Sequence, residues 1–229
     1  MNNKEVNLFQ LEMVAATLGE LLSRVTFVGG CTTLLLVDES AQFGVRKTED
    51  VDVIVDVATL VEYHEFSRQL RGVGFREDSE GPICRWLLND GRERIKLDVM
   101  PIDEKILGFS NRWYAQAIRE ACDTELPSGT VIRVVTPAYF LATKLEAFAG
   151  RGKGDYFSHD LEDIVFVMEN RSRLILELID SPEELKRYFS EQAGMLLNDE
   201  FLNVLPGLLN NPESVTSVVD SLRIMKSWA

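Results

Sequence analysis

The sequence is poor in the residues that build zinc sites, disulfide frameworks and histidine-based active sites. It contains two histidines, His64 and His159, and three widely spaced cysteines, Cys31, Cys84 and Cys122. Two histidines cannot supply a histidine-rich metal site and make a catalytic triad hard to assemble. An odd number of separated cysteines without a CxxC pair predicts reduced, partly buried thiols.

Long apolar runs and an excess of basic residues are also missing. No stretch of about 18 apolar residues occurs, and the N-terminus lacks the basic-then-apolar pattern of a secretory signal. These absences predict a cytoplasmic protein with no membrane partner. The 24 Lys and Arg against 37 Asp and Glu give a formal net charge of −13. This balance argues against a general nucleic-acid-binding surface, although it leaves room for a local basic patch.

The predicted elements fall into a mixed first part and a helical second part. In the first part helices alternate with strands, and two strand-like segments form a hairpin over residues 83–101. From Pro137, a residue suited to the first position of a helix, the pattern is helical throughout. We therefore predict an α/β (α+β) domain over residues 1–135, with helices flanking a mixed sheet, and a helical C-terminal domain over residues 136–229.

Several helix starts are readable in the sequence. A helix is predicted over residues 31–40, directly after a pair of glycines. In the second part Ser158 is a predicted N-cap, residues 181–184 (Ser-Pro-Glu-Glu) fit a capping box, and Asn211 precedes a proline that opens the last helix.

Gly29 and Gly30 stand between a predicted strand and a predicted helix. Glycine permits a sharp turn and leaves space for a ligand, and the start of the following helix attracts phosphate. A pair of glycines taken alone is more often an ordinary turn.

Three aspartates could meet on one face of the predicted sheet. Asp50 and Asp52 are two apart in a strand pattern, so their side chains point to the same side. Asp98 lies on the polar side of a later strand, and would join them if the two strands pair. Carboxylates are the ligands that Mg²⁺ or Mn²⁺ uses in phosphoryl transfer. Taken singly, each is as well or better explained as a solvated strand residue.

Together these motifs resemble the nucleotidyltransferase superfamily. The segments FVGGCTTLLL and VRKTEDVDVIV resemble its AbiEii/AbiGii-type (MenT-like) toxin branch, in which a basic residue and a Ser or Thr precede Asp-x-Asp. Here Arg46, Lys47 and Thr48 occupy that stretch. A later segment, ATKLEAFAGRGKGDYFSHDLEDI, resembles the branch's Lys–Arg–Asp-x-x-Asp motif.

The resemblance implies a metal-dependent enzyme that moves a nucleoside monophosphate from an NTP to an acceptor. Asp50, Asp52 and Asp98 would bind Mg²⁺ or Mn²⁺, and Asp98 would also help to deprotonate the acceptor hydroxyl. Lys144 would be catalytic through its contact with phosphates, and Asp160 would orient it. The residues implied to bind nucleotide are Gly29, Gly30, Arg46, Lys47, Thr48, Lys144, Arg151 and Asp160. The branch further implies a toxin of a type IV toxin–antitoxin or phage-defence system, with tRNA or a protein as acceptor and a separate antitoxin chain.

Two other hypotheses stay open at this point. One is a non-catalytic nucleotide- or protein-binding module on the same fold, which would have no reason to keep three carboxylates. The other is a transferase acting on a small molecule of the aminoglycoside type, whose positive charge would suit an acidic protein.

The predicted hairpin also carries a basic cluster: Arg85, Arg92, Arg94 and Lys96. It could contact the phosphates of an RNA acceptor, but we favour a solvated sheet edge, where charged residues prevent unwanted pairing.

Overall fold

The computed structural model of the chain describes residues 1–89, 91, 94–150 and 155–228. It divides into two compact units. The first contains residues 1–35 and 45–136, and the second contains residues 36–44 and 137–229. These units differ from a simple division at residue 135 because the short segment 36–44 belongs with the helical part of the chain.

A mixed sheet of seven strands, counted over the described residues, forms the first unit. The strands are β1 (Val25–Val28), β2 (Asp50–Val55), β3 (Arg76–Glu77), β4 (Arg85–Asn89), β5 (Arg94–Pro101), β6 (Cys122–Glu125) and β7 (Val131–Val134). Their order across the sheet is β3-β4-β5-β2-β1-β7-β6. The β2–β5 and β1–β7 pairs are parallel, and the remaining neighbours are antiparallel.

Helices flank this sheet, as predicted. They are α1 (Asn3–Leu18), α2 (Thr33–Leu36), which ends at the boundary between the units, α3 (Leu60–Gly72), α4 (Glu104–Leu107) and α5 (Tyr114–Arg119). Asn2 and Thr59 open α1 and α3 with capping boxes that use Glu5 and Glu62. Helix α1 lies against β2 and β5, and its apolar face is fully buried.

The helix predicted over residues 31–40 is wrong in its length. A 3₁₀ turn over Gly30–Thr32 leads into α2, which ends at Leu36, and another 3₁₀ segment follows. Hydrogen bonds inside the second unit hold this stretch of backbone. Arg171 Nη1 donates to the Leu36 carbonyl (2.6 Å), and Asp38 N donates to the Asn170 carbonyl (2.9 Å). Tertiary bonds therefore replace those that a continuing helix would make.

The second unit is helical in its described residues. Its helices are α6 (Pro137–Gly150), α7 (His159–Asn170), α8 (Leu174–Ile179), α9 (Glu183–Leu196), α10 (Asp199–Leu208) and α11 (Val215–Lys226). No helix in the described part of the chain is long and apolar enough to cross a bilayer.

The predicted helix starts of the second unit are confirmed at three of four places, and α6 begins at Pro137 as expected. Ser158 caps α7, accepting a hydrogen bond from Leu161 N, and Asn211 caps the turn that leads into α11. The capping box at residues 181–184 is wrong. Pro182 is the N-cap of α9 and makes no side-chain bond, while Ser181 N closes the end of α8 by donating to the Leu178 carbonyl.

Candidate active site

The glycine turn lies directly against one of the predicted metal-binding carboxylates. Val28, the last residue of β1, pairs with Asp52 of β2. Gly29 follows with a φ of 77°, a conformation that favours glycine. A Cβ atom placed on Gly29 would overlap the Asp52 carboxylate. The absence of a side chain at Gly29 is therefore what lets the Asp52 carboxylate lie beside the turn, and the following Gly30 starts the 3₁₀ turn.

Asp50 and Asp98 share one guanidinium group. The parallel pairing of β2 with β5 places Asp52 beside Asp98, and the antiparallel pairing of β4 with β5 places Arg85 opposite Asp98. Arg85 Nε and Nη2 donate to the two oxygens of Asp98, each at 2.8 Å. The same Nη2 donates to Asp50 Oδ2 at 2.6 Å. The two strands thus bring carboxylates distant in sequence to one cation.

This cluster is partly shielded from water, which strengthens the interactions among its charges. The side chains of Arg85 and Asp98 are 16% and 11% exposed. Burial raises the pKa of the Asp50 carboxyl above its ordinary value, the Asp98 charge raises it further, and Arg85 opposes both. Hydrogen bonding to Asp98 raises the pKa of the Arg85 guanidinium, so Arg85 stays charged. Arg85 is therefore the leading positive charge that opposes the raised pKa of Asp50, ahead of Lys96 and Arg46.

Arg85 is a residue whose importance the sequence did not reveal. Placing it on a solvated sheet edge with the other hairpin cations is wrong, because β3 covers that side of β4 and the side chain is mostly buried. Lys96 is not an edge residue either, because β5 lies between β4 and β2, and its side chain pairs with the exposed Glu49 at 2.9 Å. Arg94 is exposed, and Arg92 lies outside the described residues.

The segment before Asp50 is held in place by a buried asparagine of α1. Asn7 Nδ2 donates to the Arg46 carbonyl (2.9 Å), and Asn7 Oδ1 accepts from the backbone and hydroxyl of Thr48 (3.0 and 3.1 Å). Lys47, between them, is exposed. Thr48 thus uses its hydroxyl to fix the loop, and the loop presents the Lys47 side chain to solvent.

Asn7 was missed as a contributor to this region, although a signal exists. It lies on the apolar face of α1, at helical spacing from Leu11, Val14 and Leu18, all of which are fully buried. A polar side chain on such a face requires hydrogen-bond partners, because leaving it unpaired in the core costs free energy. The periodicity therefore indicates a buried polar contact, but not which backbone segment supplies it.

In the second unit, Lys144 of α6 meets the two acids of the later motif. Lys144 Nζ contacts Asp160 Oδ1 at 2.9 Å and Asp163 Oδ2 at 2.8 Å. All three side chains are at least nine-tenths buried. Burial alone would lower the pKa of Lys144, but the charges of Asp163 and Asp160 outweigh it, so its pKa is raised. Arg151 of the same motif lies outside the described residues.

Two of the three thiols are unsuited to nucleophilic chemistry. Cys31 and Cys84 are buried, and burial raises the pKa of each thiol to about 12. Cys122 is exposed on β6.

At about pH 8 we expect iodoacetamide to modify Cys122 in the folded protein and all three cysteines after denaturation. Mass spectrometry of the digested protein measures this, and rapid labelling of folded Cys84 would contradict it.

The carboxylates of the first unit have donor chemistry that fits a divalent cation. Oxygen ligands of this kind are those that Mg²⁺ prefers, and a single nitrogen already reaches both Asp50 and Asp98. Over the described residues, no three or more His, Cys, Asp or Glu side chains are arranged as a ready metal site. The carboxylate oxygens therefore fit a metal ion, and the Arg85 guanidinium is the cation that now lies between Asp50 and Asp98.

Comparison with known families agrees with this arrangement of motifs. Residues 18–217 match the family described as nucleotidyl transferase AbiEii toxin, type IV TA system. The chain belongs to the AbiEii family. The match spans the glycine turn, the aspartate-bearing strands and the later lysine motif, and it confirms the resemblance drawn from the sequence. AbiEii membership makes the chain a nucleotidyltransferase-family protein of the type IV toxin–antitoxin class.

Solved structures support the fold of this AbiEii protein. The crystal structure of an antigenic nucleotidyltransferase-like protein from Paracoccidioides brasiliensis is 16% identical, with a TM-score of 0.55. The alignment covers 92% of this chain and 99% of that chain. At this identity the likeness concerns the fold alone, and it confirms the predicted nucleotidyltransferase-like sheet with flanking helices. None of the curated proteins matches the sequence.

Proposed function

We propose that this AbiEii protein transfers a nucleoside monophosphate from an NTP to an acceptor in a reaction that depends on Mg²⁺ or Mn²⁺. One observation carries the proposal: Asp50 and Asp98, from different strands, converge on a single cation. The neighbouring Asp52 carboxylate packs directly against the glycine turn, in the space that a side chain on Gly29 would fill. Acidic ligands beside a glycine turn suit a triphosphate and its metal ions.

Each aspartate has a distinct proposed role. Asp50 and Asp52 would hold metal, and Asp98 would hold metal and help to take the proton of the acceptor hydroxyl. Bound metal would neutralise charge on the triphosphate and lower the pKa of the attacking hydroxyl. Asp98 is more buried than Asp50, the other acid that shares Arg85, which suits a group that must be positioned rigidly.

Phosphate binding is assigned to the glycine turn and to nearby cations. The backbone of Gly29 and Gly30 would approach the triphosphate, and Arg46 and Lys47 would supply positive charge from a loop that Asn7 holds. Thr48 contributes by fixing that loop.

The later motif supplies the remaining phosphate contact in this proposal. An ammonium group has three N–H donors, so Lys144 can keep its two carboxylate partners and still donate to a phosphate oxygen. Asp160 would orient the lysine for that contact. Arg151 is retained as a nucleotide-binding residue on the resemblance alone.

The proposed acceptor is tRNA, and the proposed biological role is that of a toxin held in check by a separate antitoxin chain. Membership of a type IV toxin–antitoxin family supports the role. A small-molecule acceptor and a binding module without turnover are the competing outcomes that the following experiment separates.

Asp52→Asn is expected to reduce nucleotide transfer by about 100-fold or more, because it removes charge and ligand capacity from the proposed metal site. The assay incubates the full chain with Mg²⁺, a cell lysate and each α-labelled NTP, and follows label into RNA, protein or small molecules. Asp56→Asn is the matched control: it makes the same change on an exposed residue just past β2 and is expected to retain activity.

The destination of the label decides among the hypotheses. Label in tRNA supports the proposed acceptor, label in protein supports a protein acceptor instead, and label in a small cationic molecule supports the aminoglycoside-type alternative. Wild-type protein that labels nothing with any NTP would contradict transfer and favour the binding module.

A further inference from the structure

Arg85 occupies an unusual position for a structural arginine. It makes three charge-assisted hydrogen bonds, two to Asp98 and one to Asp50, and its side chain is only 16% exposed. Its partners are two of the three carboxylates that the proposed function assigns to metal. The guanidinium therefore neutralises the same charges that a divalent cation would neutralise.

The protein without metal needs such a group. Two ionised carboxylates on neighbouring strands repel one another, and partial burial strengthens that repulsion. Arg85 relieves it from β4, where the sheet register fixes its backbone opposite Asp98. Both oxygens of Asp98 face an N–H donor of Arg85, so these contacts must weaken before Asp98 can bind a metal through two oxygens, whereas Arg85 engages Asp50 through Oδ2 alone.

We propose that Arg85 is an internal counter-ion that competes with the divalent metal for Asp50 and Asp98. The inference rests on the proposed function, since it assumes that these acids bind metal. Metal affinity is then set by how readily the guanidinium leaves, as well as by the number of carboxylates.

The geometry also gives an order of release. Arg85 holds Asp98 through two parallel hydrogen bonds and Asp50 through one. A bidentate arginine–carboxylate pair is stronger than a single contact. Asp50 is therefore released first, by a small movement of Nη2, while Asp98 stays paired until its two bonds break together. The released N–H groups suit a phosphate oxygen of the substrate.

The test measures Mn²⁺ binding to the full-length protein by electron paramagnetic resonance of the free ion. Arg85→Gln is expected to bind Mn²⁺ about tenfold more tightly than the wild type, because the variant lacks the guanidinium that competes for the carboxylates. Lys96→Gln is the matched control. Lys96 lies beside Asp50 in the register of β2 and β5 and carries the same charge as Arg85, but its side chain bonds to Glu49. Its expected change is less than about threefold.

Two further measurements keep the proposal decidable if Arg85→Gln does not fold. Arg85→Lys keeps the charge but loses the fork, so its Mn²⁺ affinity is expected between those of the wild type and the glutamine variant. In the wild type, the NMR signal of the Arg85 Nε–H is expected to lose its protection from solvent exchange as Mg²⁺ is added. An Nε–H signal that stays protected at saturating Mg²⁺ would overturn the competition.

The remaining outcomes separate this inference from the proposed function. Equal tightening by Arg85→Gln and Lys96→Gln would mean that only net charge matters, and would overturn it. Wild-type binding that Asp50→Asn abolishes but Arg85→Gln does not strengthen would also overturn it, leaving the metal site intact. If neither the wild type nor any variant binds Mn²⁺, the metal dependence of the proposed function fails together with this inference.

Discussion

Replacing Gly29 with alanine is expected to abolish nucleotide transfer and to lower the free energy of unfolding by about 2–5 kcal/mol. Two costs combine at this position. The φ of 77° strains any residue with a Cβ, and that Cβ would overlap the Asp52 carboxylate. Relief of the overlap requires Asp52 to move or the turn to open, and either change displaces a proposed metal ligand.

Gly74→Ala separates these two costs. Gly74 has a φ of 108°, so alanine is strained there as well, but a Cβ at this position would have no other atom within 4 Å. Gly74→Ala is expected to lower the free energy of unfolding by about 1–3 kcal/mol and to keep nucleotide transfer and Mn²⁺ binding. Urea denaturation and the α-labelled NTP assay measure both variants. Equal stability and equal activity of the two would refute the assigned contact between Gly29 and Asp52.

Replacing Lys144 with methionine is expected to lower the free energy of unfolding by about 3–5 kcal/mol, because it removes the lysine ammonium from two buried carboxylates. The change removes the contacts of 2.9 and 2.8 Å to Asp160 and Asp163, while methionine keeps a side chain of similar length. Urea denaturation of the purified variant provides the measurement.

The control for Lys144 is an ion pair at the surface. Lys186 pairs with Glu183, whose side chain is 80% exposed, and Lys186→Met is expected to cost less than about 1 kcal/mol. A triple variant that combines Lys144→Met with Asp160→Asn and Asp163→Asn is expected to recover stability, because the buried charges are removed together.

Activity of the triple variant then tests the proposed role of Lys144 in phosphate binding. A stable triple variant without transfer activity supports a direct contact with substrate. A stable and active one would restrict Lys144 to holding α6 and α7 together. Lys144→Met as stable as Lys186→Met would contradict the buried cluster itself.

The sequence predicted local elements well where the burial pattern is regular. In β2 the buried Val51 and Val53 alternate with half-buried Asp50 and Asp52, and this alternation alone indicates a strand with both acids on one face. The sequence likewise predicted a helix cap at Ser158, because a serine before a first turn rich in acids is a strong local signal.

Contacts that depend on strand pairing could not be read in the same way. Asp98 reaches Asp50 only because β5 pairs in parallel with β2, and Arg85 reaches both only because β4 pairs with β5 in one register. A shift of one residue in that register would turn Arg85 to the opposite face. The amino-acid pattern shows which residues are polar, but the register of distant strands decides which of them meet.

The assignment of residues 36–44 to the second unit has a consequence for the chain as it leaves the ribosome. This segment is synthesised early, yet its partners Asn170, Arg171 and Asn210 emerge more than a hundred residues later. The hydrogen bonds of this segment therefore depend on a long-range closure of the chain. Residues 36–44 of the nascent chain therefore lack these hydrogen bonds until translation is nearly finished. A chain cut at residue 135 would lack them permanently.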